Sequence, residues 1–131
     1  KSYNNTIPLF LGEKQLRKAI NKIKTNLLEP GEPKDADDST VFQVWSAFAS
    51  ESEIQRMRSE FANGIAWGEA KKQLFELVNG ELAEARERYQ QLLADPGYIE
   101  SVLQQGAERA RACSAPLMQQ VREAVGISAV R

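Results

Sequence analysis

The side chains of this sequence that could do chemistry are few and mostly cationic. Lys71 and Lys72 follow Gly68 closely, and Arg109 and Arg111 interrupt a run of small residues, Gly106-Ala107-Glu108-Arg109-Ala110-Arg111-Ala112. Groups of this kind bind anions. The two lysines could assist the free backbone donors of a helix opening at Gly68, and guanidinium groups on a slim helix can reach phosphates or bases. Each has an ordinary alternative in solvation or in pairing with an acid such as Glu108. Trp45 and Trp67 offer flat surfaces on which an unpaired base could stack, with core packing expected for Trp45 and partial exposure beside a turn for Trp67.

Other chemistries are disfavoured. The chain contains no histidine, the side chain most readily poised for proton transfer at neutral pH. The single cysteine, Cys113, cannot close an intramolecular disulfide and, without imidazole, gives neither a metal site nor a thiol-imidazole pair. It shares a helical stripe with Gly106 and Ala110, so burial is its expected state. Gly64-Ile65-Ala66-Trp67-Gly68 lacks the preceding strand and the Gly-Lys-Ser or Gly-Lys-Thr ending of a phosphate-cradling loop and reads as a tight turn. No carboxylate pair has a catalytic setting. Glu81, Glu84 and Arg88 read as surface pairing on a helix.

The overall charge of −1 hides an uneven distribution. Lys1, Lys14, Arg17, Lys18, Lys22 and Lys24 face only Glu13 within residues 1–25, whereas residues 26–60 set Lys34, Arg56 and Arg58 against eight acids. Binding to a polyanion must therefore be local. No apolar stretch approaches the roughly 18 residues of a membrane span, and the single thiol fits a reducing, cytoplasmic setting.

The elements that would hold these groups are helices. Residues 5–11 read as an extended connector, because Pro8 biases Ile7 away from helix. Gly12 and Glu13 open a helix with Leu16, Ala19, Ile20 and Ile23 on one side, expected to end near Thr25. Residues 29–38 combine turn formers with charge and are expected to form a mobile surface loop. Ser39 or Asp38 should cap a helix through Val41, Phe42, Val44, Trp45 and Phe48. Ser50 or Ser52 should cap the next, which stops at Asn63-Gly64. A long helix follows from Trp67-Gly68 through Leu74, Leu77, Val78 and Leu82 to Leu92. Asp95-Pro96 launches another, which Pro116 should kink or restart and Gly126 should close, with Ile127 folding back as an apolar clasp. The fold class is all-α: a helical bundle of about five or six helices, the two long C-terminal ones packed antiparallel.

The residues also resemble a known family. Lys1-Ser2-Tyr3-Asn4-Asn5 resembles the end of the Lys-Met-Ser-Lys-Ser loop of class I aminoacyl-tRNA synthetases, and Thr6-Ile7-Pro8-Leu9-Phe10 resembles its continuation in tryptophanyl-tRNA synthetases of bacterial type. Arg88-Tyr89, Asp95-Pro96, Gly106-Ala107-Glu108-Arg109-Ala110-Arg111 and Val121-Arg122-Glu123-Ala124-Val125-Gly126-Ile127 resemble that family's closing helices in order and spacing. Thr25-Asn26 departs from the commoner pattern, in which an acid follows the threonine, and suggests a subgroup.

The resemblance implies a parent enzyme that joins tryptophan to its tRNA using ATP with magnesium, of which this chain is a C-terminal fragment, inactive alone. Opening at Lys1 rather than methionine is consistent with such a cut. It also implies that residues 1–11 are a remnant of the signature loop and connector, with residues 12–131 the helical anticodon-binding domain. By position Lys1 and Ser2 match ATP-binding residues of the loop, and no metal site is expected. Lys71, Arg109 and Arg111 are the candidates for tRNA contact on exposure and charge. The implied partner is tryptophan tRNA, with no DNA and no membrane. The full-length parent is expected to be a cytoplasmic homodimer, and the fragment could stand as a monomer. The alternative is a helical protein-interaction module without RNA contact, suggested by the near-neutral charge of residues 61–131.

Overall fold

The computed structural model describes residues 6–127. They form five helices and no strand, and the chain divides into two compact units, Lys1–Tyr89 and Gln90–Arg131. Lys1 and Ser2, the two residues carried over from the signature loop, lie outside the described residues.

The first unit is built around Phe61. Helix α1 spans Glu13–Asn21 and buries Leu16 and Ile20, four residues apart on one face. Helix α2, Thr40–Ser46, opens on Ser39, whose hydroxyl oxygen accepts from the Phe42 N–H at 3.3 Å, and buries Val41, Phe42 and Trp45. Helix α3, Glu51–Ala62, contributes Met57 and Phe61. Helix α4 spans Trp67–Ala94 and buries Ala70, Leu74, Phe75 and Val78. The Phe61 ring meets Phe42 and Trp67 edge-on, with centroids 5.5 and 5.6 Å apart. Such edge contacts are favoured by the ring quadrupoles beyond what area burial alone supplies. Gly80 leaves α4 unbroken, since a single glycine weakens a helix without ending it.

Helix α3 ends in a glycine motif the sequence foretold. Gly64 has φ +82, its N–H donates to Phe61 O at 3.0 Å, and the Ile65 N–H donates to Glu60 O at 2.9 Å. What the sequence did not foretell is the partner of this turn. The 29–38 segment is pinned against it: the Gly31 N–H donates to Gly64 O at 2.8 Å, and the Lys34 N–H to Phe61 O at 2.9 Å. Ala36 and Lys34 are both buried, and the Lys34 ammonium donates to Glu29 O and Glu32 O at 2.8 and 3.0 Å. Arg58 reaches the same segment with two 2.8 Å bonds to the Asp37 carboxylate. The segment expected as a surface loop of turn formers and charge thus buries two of its side chains, Lys34 and Ala36. Its lysine satisfies backbone carbonyls rather than water.

The connector also joins this unit. Phe10 stacks on Tyr89 with centroids 4.5 Å apart, and Ile7 and Leu11 pack against the core.

In the second unit helix α5 spans Pro96–Ala124. Asp95 accepts from the Tyr98 N–H at 2.9 Å, as expected for a cap followed by proline. Of the two outcomes expected at Pro116, a restart does not occur: α5 runs through it as one helix. Gly126, φ +72, closes it, with the Ile127 N–H donating to Arg122 O at 2.8 Å. Ile127 stays exposed, so no apolar clasp accompanies the bond. No residue of α5 is buried, and Cys113 is exposed, correcting its expected burial. The antiparallel pairing expected of α4 and α5 spans the two units and belongs to neither alone.

Candidate nucleic-acid interface

A surface that holds an anion needs cations free to leave water and an element rigid enough to aim them. Lys71 sits one turn into α4, near the start of the helix as the sequence placed it, but its ammonium turns inward. It donates to Asn21 O at 3.1 Å and Ile23 O at 2.7 Å, the carbonyls where α1 ends. Partial burial holds its pKa below the ordinary lysine value. One turn earlier, Trp67 Nε1–H donates to Asn26 Oδ1 at 3.1 Å. Two side chains of α4 thus clamp the chain leaving α1, and Trp67 gives its polar edge to that task. Its ring is only partly exposed. Lys72 stays outside, 3.9 Å from Glu69.

Arg109 and Arg111 are both exposed on α5, and neither forms an ion pair among the described residues. Two positions apart on a helix, they project to different sides and cannot grip one group together. Arg111 and Arg122, eleven positions apart, return to nearly the same side of α5 after three turns.

A further set of cations, outside the residues singled out from the sequence, lies on α1. Lys14, Lys18 and Lys22 recur every fourth position, away from buried Leu16 and Ile20, and all three are exposed. Arg17 lies beside them with its guanidinium 3.9 Å from the Phe75 centroid, and Lys24 follows. The one acid of α1, Glu13, accepts from Asn79 Nδ2 at 3.0 Å. The excess of lysine and arginine in residues 1–25 is the signal of this stripe in the sequence. A small cleft of about 170 Å³ opens near the end of α1, lined by Lys24, Asn26, Asp35, Asp38 and Trp67. Its mixed charge gives no preference for an anion. Among the described residues no cluster of acids, cysteine or histidine could hold a metal, and no helix is long and apolar enough to cross a membrane.

No family model matches the chain. Individual relatives do. It is 51% identical over 131 residues, all of its length, to a tryptophan–tRNA ligase of Pseudomonas aeruginosa, and 52% identical over 127 residues to that of Neisseria meningitidis. It spans only 29% of the first relative and 38% of the second. Among solved structures, a tryptophanyl-tRNA synthetase from Campylobacter jejuni, complexed with ADP and tryptophan, superposes with a TM-score of 0.89 at 37% identity, over 96% of this chain and 40% of that one. Matching at this level over its whole length, the chain belongs with the tryptophanyl-tRNA synthetases, as one segment of their sequence.

Proposed function

We propose that the full-length protein is a tryptophan–tRNA ligase of the cytoplasm, which activates tryptophan with ATP and magnesium and acts as a homodimer. Within it this chain is the helical part that contacts the anticodon region of tryptophan tRNA. The observation that carries the reading is 51% identity to a protein of that name across every residue of the chain. The ADP and tryptophan in the Campylobacter structure support the ATP-dependent half of it. Arg109 and Arg111, exposed and without ion-pair partners among the described residues, are the candidate contacts on α5. Lys71 has one ammonium donor left after its two carbonyl bonds and is a candidate only through that one.

Titrating the chain with tryptophan tRNA carrying intact or altered anticodon bases tests the reading. Intact tRNA should bind more tightly. Arg109→Ala should weaken binding by about tenfold if the residue touches the RNA. Equal affinity for both tRNAs refutes anticodon recognition. The rival reading, a helical module for protein partners, is favoured by α5: Val102, Leu117, Val121 and Val125 are between 45% and 63% exposed. It gains if tRNA is ignored even at low salt.

A further inference from the structure

We propose that the exposed side of α1 is a phosphate-contacting surface for the sugar-phosphate backbone of tRNA, with Lys14, Lys18 and Lys22 as its contacts. The inference rests on the RNA-binding reading above and assigns it a site separate from α5.

The first support is that these cations are unspent. Lys34, Arg56, Arg58, Lys71 and Lys72 each have an oxygen partner within the first unit. Among the described residues Lys14, Lys18, Lys22 and Lys24 have none. Other exposed arginines, Arg88, Arg109 and Arg111, also lack an ion pair among the described residues, so what sets α1 apart is three such cations at four-residue spacing on one short helix. Glu13, the only acid close in sequence, is turned to Asn79.

The helix dipole supplies the ordinary explanation for basic residues, and it accounts for only part of the stripe. Cations near a C-terminus are stabilising, which covers Lys18 and Lys22; Lys14 stands in the first turn, where a positive charge opposes the dipole. A residue that costs helix stability and touches nothing fits better as a contact for something outside the chain.

The third support is rigidity. Leu16 and Ile20 are 1% and 0% exposed, and the end of α1 is held by Lys71 and by the Trp67–Asn26 bond. The three lysines therefore leave a fixed scaffold, spread over about 12 Å of helix. That suits repeated charges along a nucleic-acid backbone better than a single small anion, which would need the cations to converge.

Lys14→Gln/Lys18→Gln/Lys22→Gln in the whole chain, titrated with tryptophan tRNA at several salt concentrations, tests the proposal. Affinity at the lowest salt should fall roughly tenfold or more, and the slope of log affinity against log salt should shrink by about two to three, the share of three phosphate contacts. The loss should be equal for intact and altered anticodons, because backbone contacts carry no base information. The triple lysine-to-arginine variant should bind as the parent chain does, which separates lost charge from lost folding. An unchanged salt slope in the glutamine variant, or failure of the parent chain to bind any tRNA, overturns the proposal. Anticodon-independent binding that still depends on these lysines refutes only anticodon recognition and leaves this surface standing.

Discussion

Gly64 shows how much of this fold hangs on single atoms. A side chain there would have to accept φ +82, and its Cβ would stand 2.4 Å from the Gly31 carbonyl carbon and 2.7 Å from the Gly31 Cα. Both obstacles are backbone, so neither can rotate away. Gly126 makes the same turn at φ +72 with nothing within 4 Å of its Cβ position. The two glycines therefore separate conformational cost from collision. Gly126→Ala should cost about 1 kcal/mol or a little more, the usual cost of a left-handed residue, whereas Gly64→Ala should cost roughly 3 kcal/mol or more. Urea unfolding of both variants checks this, and equal losses would show that the 29–38 segment does not lie against the α3–α4 turn. Lys71 makes the complementary point. Its type and position suggested an anion contact, but carbonyls at the end of α1 take two of its three donors. Which atoms a lysine meets depends on where a distant turn places its carbonyls, and no local pattern carries that.

At the scale of elements the sequence was informative wherever the physics is local. The four-residue recurrence of Leu16 with Ile20, the Ser39 cap, the Asn63-Gly64 stop and the Asp95-Pro96 start are all written within a turn of where they act. The 29–38 segment was misread because its ordering comes from Gly64, Phe61 and Arg58, each more than twenty residues away. The cationic side of α1 was visible as a charge count, but its lack of partners is a property of the folded surface. One capping interaction can be tested by titration. Glu53 Oε2 accepts from the Ser50 N–H at 2.8 Å and from the Ser50 hydroxyl, and these bonds hold its pKa below the ordinary 4.5. The unfolded chain then takes up the proton at higher pH than the folded one. The contribution of this group is complete above pH 4.5 and is lost as pH falls through the folded value. Glu53→Gln should be the less stable protein at neutral pH, and the gap should narrow below pH 4.5. A gap independent of pH, measured by urea unfolding, would mean that the carboxylate charge plays no part in the cap.

For the whole molecule the telling contrast is between the two units. The first encloses twelve buried apolar side chains, whereas α5 buries none across 29 residues. Periodicity alone could not separate these cases, since Val102, Leu117, Val121 and Val125 occupy positions that would serve equally well on a covered face. The sequence specifies which residues share a side of a helix; whether that side is covered depends on what lies across from it. Relatives that match this chain over all its length are about three times as long, so much of their surface lies beyond the segment described. Cys113 is the built-in reporter of the exposure of α5, being the only thiol and lying at an exposed position on that helix. In the isolated chain it should react with a thiol reagent under native conditions at the rate of a free cysteine, giving one equivalent with no denaturant present. Protection by orders of magnitude, released only on unfolding, would mean that this side of α5 is covered in solution. The apolar residues beside it could then no longer favour the protein-partner reading, and Arg109 and Arg111 would have to be placed afresh.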